Sequence, residues 1–220
     1  GGKVEASEIP ADQADKAAEM RSALVEEAAA ADDELMEKYF EEGDLSPEDL
    51  SKALRLAIDK LDLYPILCSN AKDDMGVARI LEFIVDNVPA PNQVSNLPKT
   101  TKGEEIKYDA AAPTLVFAFK TANEQHLGEV TYLKVMNGEV TESLDLINAN
   151  TQGKERLSQI LICAGKNRQK VEKAVAGDIF CTIKLKDFKT NQSLASAKNS
   201  DQQVTPIEFP KPIYTVAVKA

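Results

Sequence analysis

The sequence predicts an α+β protein of two domains, a helical and α/β unit followed by an antiparallel β-barrel. Three observations carry that expectation. Apolar residues recur at helical spacing from Ala11 to about Leu61. One strand-loop-helix unit then occupies Leu63 to Val88. Past Pro113 the pattern becomes short Val-, Leu- and Ile-rich runs separated by polar turns, as expected of a small closed barrel.

The first segment, Ala11 to Ala31, is Ala/Glu-rich without Gly or Pro, and Ala17, Met20, Leu24 and Ala28 mark its apolar stripe. A second helix carries Leu35, Met36, Tyr39 and Phe40 on one face and stops at Gly43. Ser46-Pro47-Glu48-Asp49 is a strong start signal: a serine N-cap, proline in the first turn, and acids facing the positive end of the helix dipole. Leu50, Ala53, Leu54, Ala57, Ile58 and Leu61 form the buried stripe of this third helix. Leu63 to Cys68 is a continuous apolar run and predicts a strand covered on both faces, with Pro65 near its start. The polar loop Ser69 to Asp74 leads into a fourth helix with Val77, Ile80, Leu81, Ile84, Val85 and Val88 on one side. Pro89-Ala90-Pro91 ends that helix, and residues 92–113 read as a linker.

Strands are expected over Thr114–Lys120 and Gly128–Asn137, where Val130, Tyr132 and Lys134 alternate with Thr131, Leu133 and Val135. Asn137-Gly138 is a type I′ hairpin signal. Leu144, Leu146 and Ile147, then Leu157–Cys163, Ile179–Leu185 and Ile213–Val218 supply the remaining strands. Gly138 and Gly177 are expected at turns with positive φ. The domain boundaries are thus 1–91, the linker 92–113, and the barrel 114–220.

Composition narrows the function classes. Of 220 residues, 43% are hydrophobic and 28% charged, the balance of a soluble globular protein with a core. No apolar run reaches the ~20 residues a membrane helix needs, and the opening Gly-Gly-Lys-Val-Glu lacks the order of a signal peptide. Cys68, Cys163 and Cys181 are an odd number at wide spacing, each in an apolar run; they read as reduced core residues of a cytoplasmic protein, with no metal site. Residues 1–50 hold 16 acidic and 4 basic side chains, whereas the remaining 170 hold 20 and 22, so any contact with RNA phosphates belongs to the C-terminal half. The acidic stretch itself reads as the wet face of surface helices.

No Gly-x-x-x-x-Gly-Lys-Ser/Thr phosphate loop is present, nor an Asn-Lys-x-Asp segment to read guanine. The single histidine, His126, sits beside Gln125 in an expected turn, without partners for a catalytic base, so no catalytic residue is assigned. The ordered words of the chain nevertheless resemble elongation factor G. Glu34-Leu35-Met36-Glu37-Lys38-Tyr39-Phe40 with Gly43 and Leu45-Ser46 resembles the helical segment before the last strand of that family's G domain. Pro65-Ile66-Leu67-Cys68, Gly76-Val77, Val85-Asp86 and Pro89-Ala90-Pro91 resemble its final strand, nucleotide loop and closing helix. Ala118-Phe119-Lys120, Gly128 to Val135, Gly138, Lys154-Glu155-Arg156, Ala176-Gly177-Asp178-Ile179 and Leu185-Lys186-Asp187 resemble its second domain. Phe209-Pro210-Lys211-Pro212-Ile213 with Val216-Ala217-Val218 resembles the exit strand toward a third domain.

The resemblance implies the C-terminal remnant of a P-loop G domain followed by a translation-factor β-barrel. It implies a GTPase that moves tRNA and mRNA on the ribosome, with GTP/GDP and small-subunit rRNA as partners. Asn70-Ala71-Lys72 would then be the guanine-base loop, with the Ala71 N–H donating to the base carbonyl and Asn70 bracing the loop. Without a phosphate loop, the chain alone is expected to be inactive and to bind no nucleotide. Lys154, Arg156, Lys166 and Arg168 are the candidate rRNA contacts. The sequence departs from the family at Ala164, where a histidine is usual, at Lys184 and Asn191, where glycines are usual, and at Gln192-Ser193, where Asp-Thr is usual. Such drift suggests a divergent paralogue. A ribosomal protection protein of the tetracycline-resistance type, a release-factor GTPase and a non-enzymatic acidic helical plus β-barrel module are the alternatives. Apolar faces left without neighbours could also pair copies into a dimer of no biological meaning.

Overall fold

The computed structural model describes residues 7–124, 128–165, 167–186, 188–214 and 216–217. They divide into two compact units, with the boundary between Asn96 and Leu97.

The first unit holds four helices: α1 (Ala14–Ala29), α2 (Asp33–Glu42), α3 (Pro47–Asp59) and α4 (Val77–Asn87). The start signal at Ser46 operates as its chemistry requires, because the Asp49 amide donates to the Ser46 hydroxyl at 3.1 Å and Pro47 fills the first turn. Asp32 caps α2 in the same way, accepting from the Leu35 amide at 3.2 Å. Gly43 ends α2 in the left-handed region at φ 74°, its amide donating to the Tyr39 carbonyl. Val25, Ala28 and Ala29 of α1 close on Leu35, Leu45 and Ala53 to form the core of this unit. Burial of Val25 and Leu35 contributes on the order of 2 kcal/mol each. The α1 stripe is therefore rotated from the expected one: Met20 and Leu24 are exposed, and Phe40 of α2 is 74% exposed. Alanines at 28, 29, 53 and 57 let the helices approach closely, and this close approach selects the buried face.

The predicted strand over Leu63–Cys68 does not form. The segment has no strand pairing; the Leu63 amide donates to the Ala57 carbonyl at 3.2 Å, Ile66 is 92% exposed and Cys68 is exposed rather than in a core. A strand needs neighbours to satisfy its amides and carbonyls, and among the described residues this unit contains no other strand. The apolar side of α4 is likewise uncovered, with Leu81 at 60% and Val85 at 76% exposure. No described helix is long and apolar enough to cross a membrane.

The second unit is all antiparallel. Its strands are β1 (Leu115–Glu124), β2 (Gly128–Asn137), β3 (Glu139–Thr141), β4 (Asp145–Asn148), β5 (Lys154–Arg156), β6 (Ile160–Ala164), β7 (Asn167–Val171), β8 (Lys173–Val175), β9 (Ile179–Ile183) and β10 (Ser193–Ala195). Eight of them form one sheet in the order β5-β4-β10-β1-β2-β9-β6-β7, and β3 pairs with β8 as a separate ribbon. The sheet curls, barrel-like, around Val116, Ala118, Leu133, Val135, Leu157, Ile160, Phe180 and Leu194, while Val140 of β3 and Ala174 of β8 complete the same core. Among the described residues the ladder is open, with β5 and β7 as edges, where sequence reading anticipated full closure.

Residues 97–113, the greater part of the 92–113 stretch read as linker from its Pro, Asn, Ser, Lys and Thr content, belong to this unit. Thr100 bridges to Val204, and Ile106 is buried with Leu115, Phe117 and Met136 on the outer face of the sheet. Ile106, set among polar neighbours, left no periodicity to read, yet it anchors the segment. The Asn137-Gly138 dipeptide makes no hairpin, since β3 pairs with β8 and not with β2. Its hydrogen bonds go elsewhere: the Asp109 amide donates to the Asn137 side chain at 3.1 Å, and the Gly138 amide donates to the Asp109 carbonyl at 2.8 Å. The expected strand from Ile213 is also absent over the described residues, where Ile213 and Tyr214 are exposed; Val218 lies outside them.

Gly138 and Gly177 have φ of 73° and 97°, as expected of turn glycines. The positions where the resemblance puts glycine behave the same way: Lys184 has φ 65° and Asn191 φ 72°. Both residues hold a left-handed turn without being glycine. Asn191 supports it through its side chain, donating to the Ile207 carbonyl and accepting from the Ile207 amide, each at 2.9 Å.

Two stability outcomes follow from these contacts. Gly138→Ala should destabilise the β unit by at least about 2 kcal/mol in chemical denaturation, because a Cβ there meets the Ala112 carbonyl and the Thr114 backbone at 2.7 Å as well as an unfavourable φ. Ser46→Ala should cost about 1 kcal/mol in the helical unit by loss of the cap, read as a lower midpoint of the helical circular-dichroism transition.

Candidate functional site

The loop expected to face a guanine base is a tight reversal between residues 63–69 and α4. Asn70 and Met75 exchange backbone hydrogen bonds at 2.9 and 3.0 Å, closing the reversal. Asn70 also braces it from inside: its Nδ2 donates to Asp73 Oδ2 at 2.8 Å and its Oδ1 accepts from the Asp73 amide at 3.3 Å. Gly76, at φ 77°, turns the chain into α4, and a Cβ there would meet the Cys68 carbonyl at 3.0 Å. The result leaves Ala71 and Lys72 exposed at the tip, with the Ala71 amide unengaged among the described residues. A donor amide on a braced loop can bond a carbonyl oxygen without help from a side chain, which is the chemistry expected of this position.

The candidate phosphate contacts separate into two places. Lys154 and Arg156 lie on the edge strand β5, whose alternation points both outward while Glu155 between them is buried and accepts from the Lys186 amide at 3.4 Å. Arg156 meets Asp145 at 3.5 Å, a loose exposed contact, and Lys154 has no ion-pair partner among the described residues. They flank a cleft of about 360 Å³ that Asp145, Ile147 and Ala197 also line. Two cations on one strand edge could bridge successive phosphates, with Asp145 reducing the field at Arg156.

Arg168 sits on β7, at the other edge of the ladder, and it is not free. Its guanidinium pairs with Glu124, with only 18% and 28% of the two side chains exposed. Glu124 in turn accepts from the Tyr132 hydroxyl at 3.2 Å. Desolvation is the largest single influence and works against the Arg168 cation, but Glu124, Cys163 and Tyr132 together outweigh it and the pKa is raised. Burial first, then the charge of Cys163 and the bond to Glu124, raise the Tyr132 hydroxyl. Arg168 Nε is buried without a partner among the described residues. The expectation of a solvent-facing Arg168 is thus corrected: cross-strand neighbours fold it into a polar cluster with Glu124, Tyr132, Cys163 and Cys181. Contacts spanning 44 positions, as between Glu124 and Arg168, left no local trace in the sequence. Lys166, His126 and Asp187 lie outside the described residues. Among the described residues, no group of His, Cys, Asp and Glu could hold a metal ion.

Comparison with known proteins gives this geometry its relatives. Residues 113–197 match the family model described as elongation factor G domain 2, which falls on the curled sheet from just before β1 to just after β10. The chain is 34% identical over 218 residues to the elongation factor G of Ureaplasma urealyticum serovar 10, covering 96% of this chain and 31% of that one. It has the same identity and coverage with the elongation factor G of Ureaplasma parvum serovar 3. A crystal structure from Thermus thermophilus superposes with a TM-score of 0.68 at 25% identity, covering 87% of this chain and 26% of that chain. The chain therefore spans about a third of the length of the curated relatives it matches. By these matches it is an elongation factor G-like chain, with its β unit corresponding to that factor's domain 2.

Proposed function

We propose that this chain serves a ribosomal translocase GTPase, with the β unit docking on small-subunit rRNA and the helical unit supplying one lip of the guanine pocket. The observation that carries the proposal is the coincidence of the domain 2 match with the curled sheet that presents Lys154 and Arg156 from an open edge. An edge strand is suited to docking because its outward side chains are not shared with a next strand, and two cations release counterions when they meet phosphates.

Residues 1–91 are read as the C-terminal part of a G domain. In that reading the uncovered faces of residues 63–68 and of α4 pack against the remainder of such a domain. The Asn70–Met75 reversal then holds the Ala71 amide toward the carbonyl oxygen of the base, and Lys72 stands at the mouth of the pocket. GTP is the cofactor, and hydrolysis would shift an order–disorder element and rearrange the domains. No residue of this chain is assigned to the chemical step. The cellular setting is the cytoplasm.

Two measurements test the reading. Binding of the chain to small-subunit rRNA should weaken with rising salt, and the double variant Lys154→Ala, Arg156→Ala should reduce the slope of log affinity against log salt by about one per removed charge. An unchanged slope would remove the β5 edge from the interface. Titration with a fluorescent guanine nucleotide should give no saturable binding at millimolar concentration, since the sequence holds no phosphate loop. Micromolar affinity would overturn the view that the base lip alone is too small a site.

A further inference from the structure

The sulfurs of Cys163 and Cys181 stand 2.8 Å apart, although 18 positions separate them in the sequence. That is closer than two sulfurs in ordinary van der Waals contact. The two residues sit on neighbouring antiparallel strands, with Cys181 of β9 opposite Leu161 of β6, so Cys163 is its diagonal neighbour. Diagonal neighbours lie about 7–8 Å apart, just beyond the roughly 4.4–6.8 Å Cα spacing that a disulfide spans, so closure must draw β6 and β9 slightly together. Here both side chains already turn into the gap.

The surroundings suit reversible chemistry. The pair belongs to a small cluster with Val130, Leu161, Ile183 and Tyr132, separate from the core around which the sheet curls. A bond formed there leaves that core untouched. Cys163 is half-buried and Cys181 buried, so a small solute reaches one thiol and the second waits behind it. This is the arrangement of an attacking and a resolving thiol. Arg168, directly opposite Cys163 across the β6–β7 pair, places a fixed cation beside the sulfurs.

We propose that Cys163 and Cys181 form an oxidation-responsive pair that closes to an intramolecular disulfide between β6 and β9, with a peroxide as oxidant. The Cys163 thiol loses its proton and its sulfur attacks one peroxide oxygen. The O–O bond breaks, Cys163 becomes a sulfenic acid, and the departing hydroxide takes up a proton as water. The Cys181 sulfur then attacks the sulfenic sulfur, the S–O bond breaks, and the Cys181 proton leaves with the hydroxide as a second water. Two thiols have given two electrons, and the peroxide has become two waters. Burial and the hydrogen bond to Cys163 push the Cys181 thiol up to about 12, with Arg168 opposing, so Cys181 enters the second step still carrying its proton. An external dithiol reverses the bond by exchange. Closure would lock the β6–β7 hairpin, which carries Arg168, to the middle of the sheet.

The test uses the full chain carrying Cys68→Ser, which removes the exposed third thiol. After mild hydrogen peroxide, free thiols are alkylated and the protein is weighed intact and after trypsin. Cleavage after Arg156, Lys166, Lys173 and Lys184 places Cys163 in the peptide 157–166 and Cys181 in 174–184. The expected result is joint loss of both alkylatable thiols, a mass lower by two hydrogens, recovery of these two peptides as one linked species, and restoration by dithiothreitol. With a further Cys181→Ser change no disulfide should form, and Cys163 should give a sulfenic acid that dimedone traps and that further peroxide carries on to the sulfinic acid. The proposal is overturned if both thiols survive peroxide, or if Cys163 reaches the sulfinic acid as fast with Cys181 present as without it.

Discussion

The β unit depends on the pairing of β1 with β2, because that ladder is buried on both faces. Its register runs from Leu115 opposite Asn137 to Glu124 opposite Gly128, with irregularities at Leu115/Val116 and Ala118/Lys120. One face gives Val116, Ala118, Leu133 and Val135 to the inner core, and the other gives Leu115, Phe117 and Met136 to the outer one. A slip of one residue would exchange the two sets, and neither core could accept the other's shapes. The irregularities let the strands coil enough for β9 and β6 to follow on one side and β10, β4 and β5 on the other. Everything that presents Lys154, Arg156 and the Cys163–Cys181 pair is hung on this central ladder.

The helical unit is built on a different constraint, the close approach of alanines on α1 and α3. It closes a modest core at one end and leaves the other unsatisfied. The segment before the Asn70 loop has no strand pairing among the described residues, and α4 turns Leu81, Ile84 and Val85 to solvent. The two features go together: residues 63–68 have a strand's composition but no partner strand among the described residues of the unit, and nothing there covers the apolar side of α4. The loop between them nevertheless holds its shape, since its bracing by Asn70, Asp73, Met75 and Gly76 is local.

Left-handed turns in the β unit do not all rest on glycine. Lys184 and Asn191 sit at φ values that favour glycine, at positions where the resemblance to elongation factor G places glycine. The turn at Asn191 keeps its geometry through side-chain hydrogen bonds to Ile207.

What the sequence determined by itself is what local physics controls. The serine cap and proline of α3, the glycine stop of α2, the limits of β2 and the turn glycines at 138 and 177 depend on residues within a few positions of each other. The ordered family words were legible for the same reason, as strings. Tertiary structure alone decided the matters that depend on distant partners. Leu63–Cys68 has strand composition but no neighbour to pair with, Ile106 has a linker's context but a core's environment, and Asn137-Gly138 has a hairpin's composition but bonds to Asp109. The contact of Arg168 with Glu124 and of Cys163 with Cys181 exists only because β1, β2, β9, β6 and β7 are laid side by side, and strand order is a property of the whole sheet.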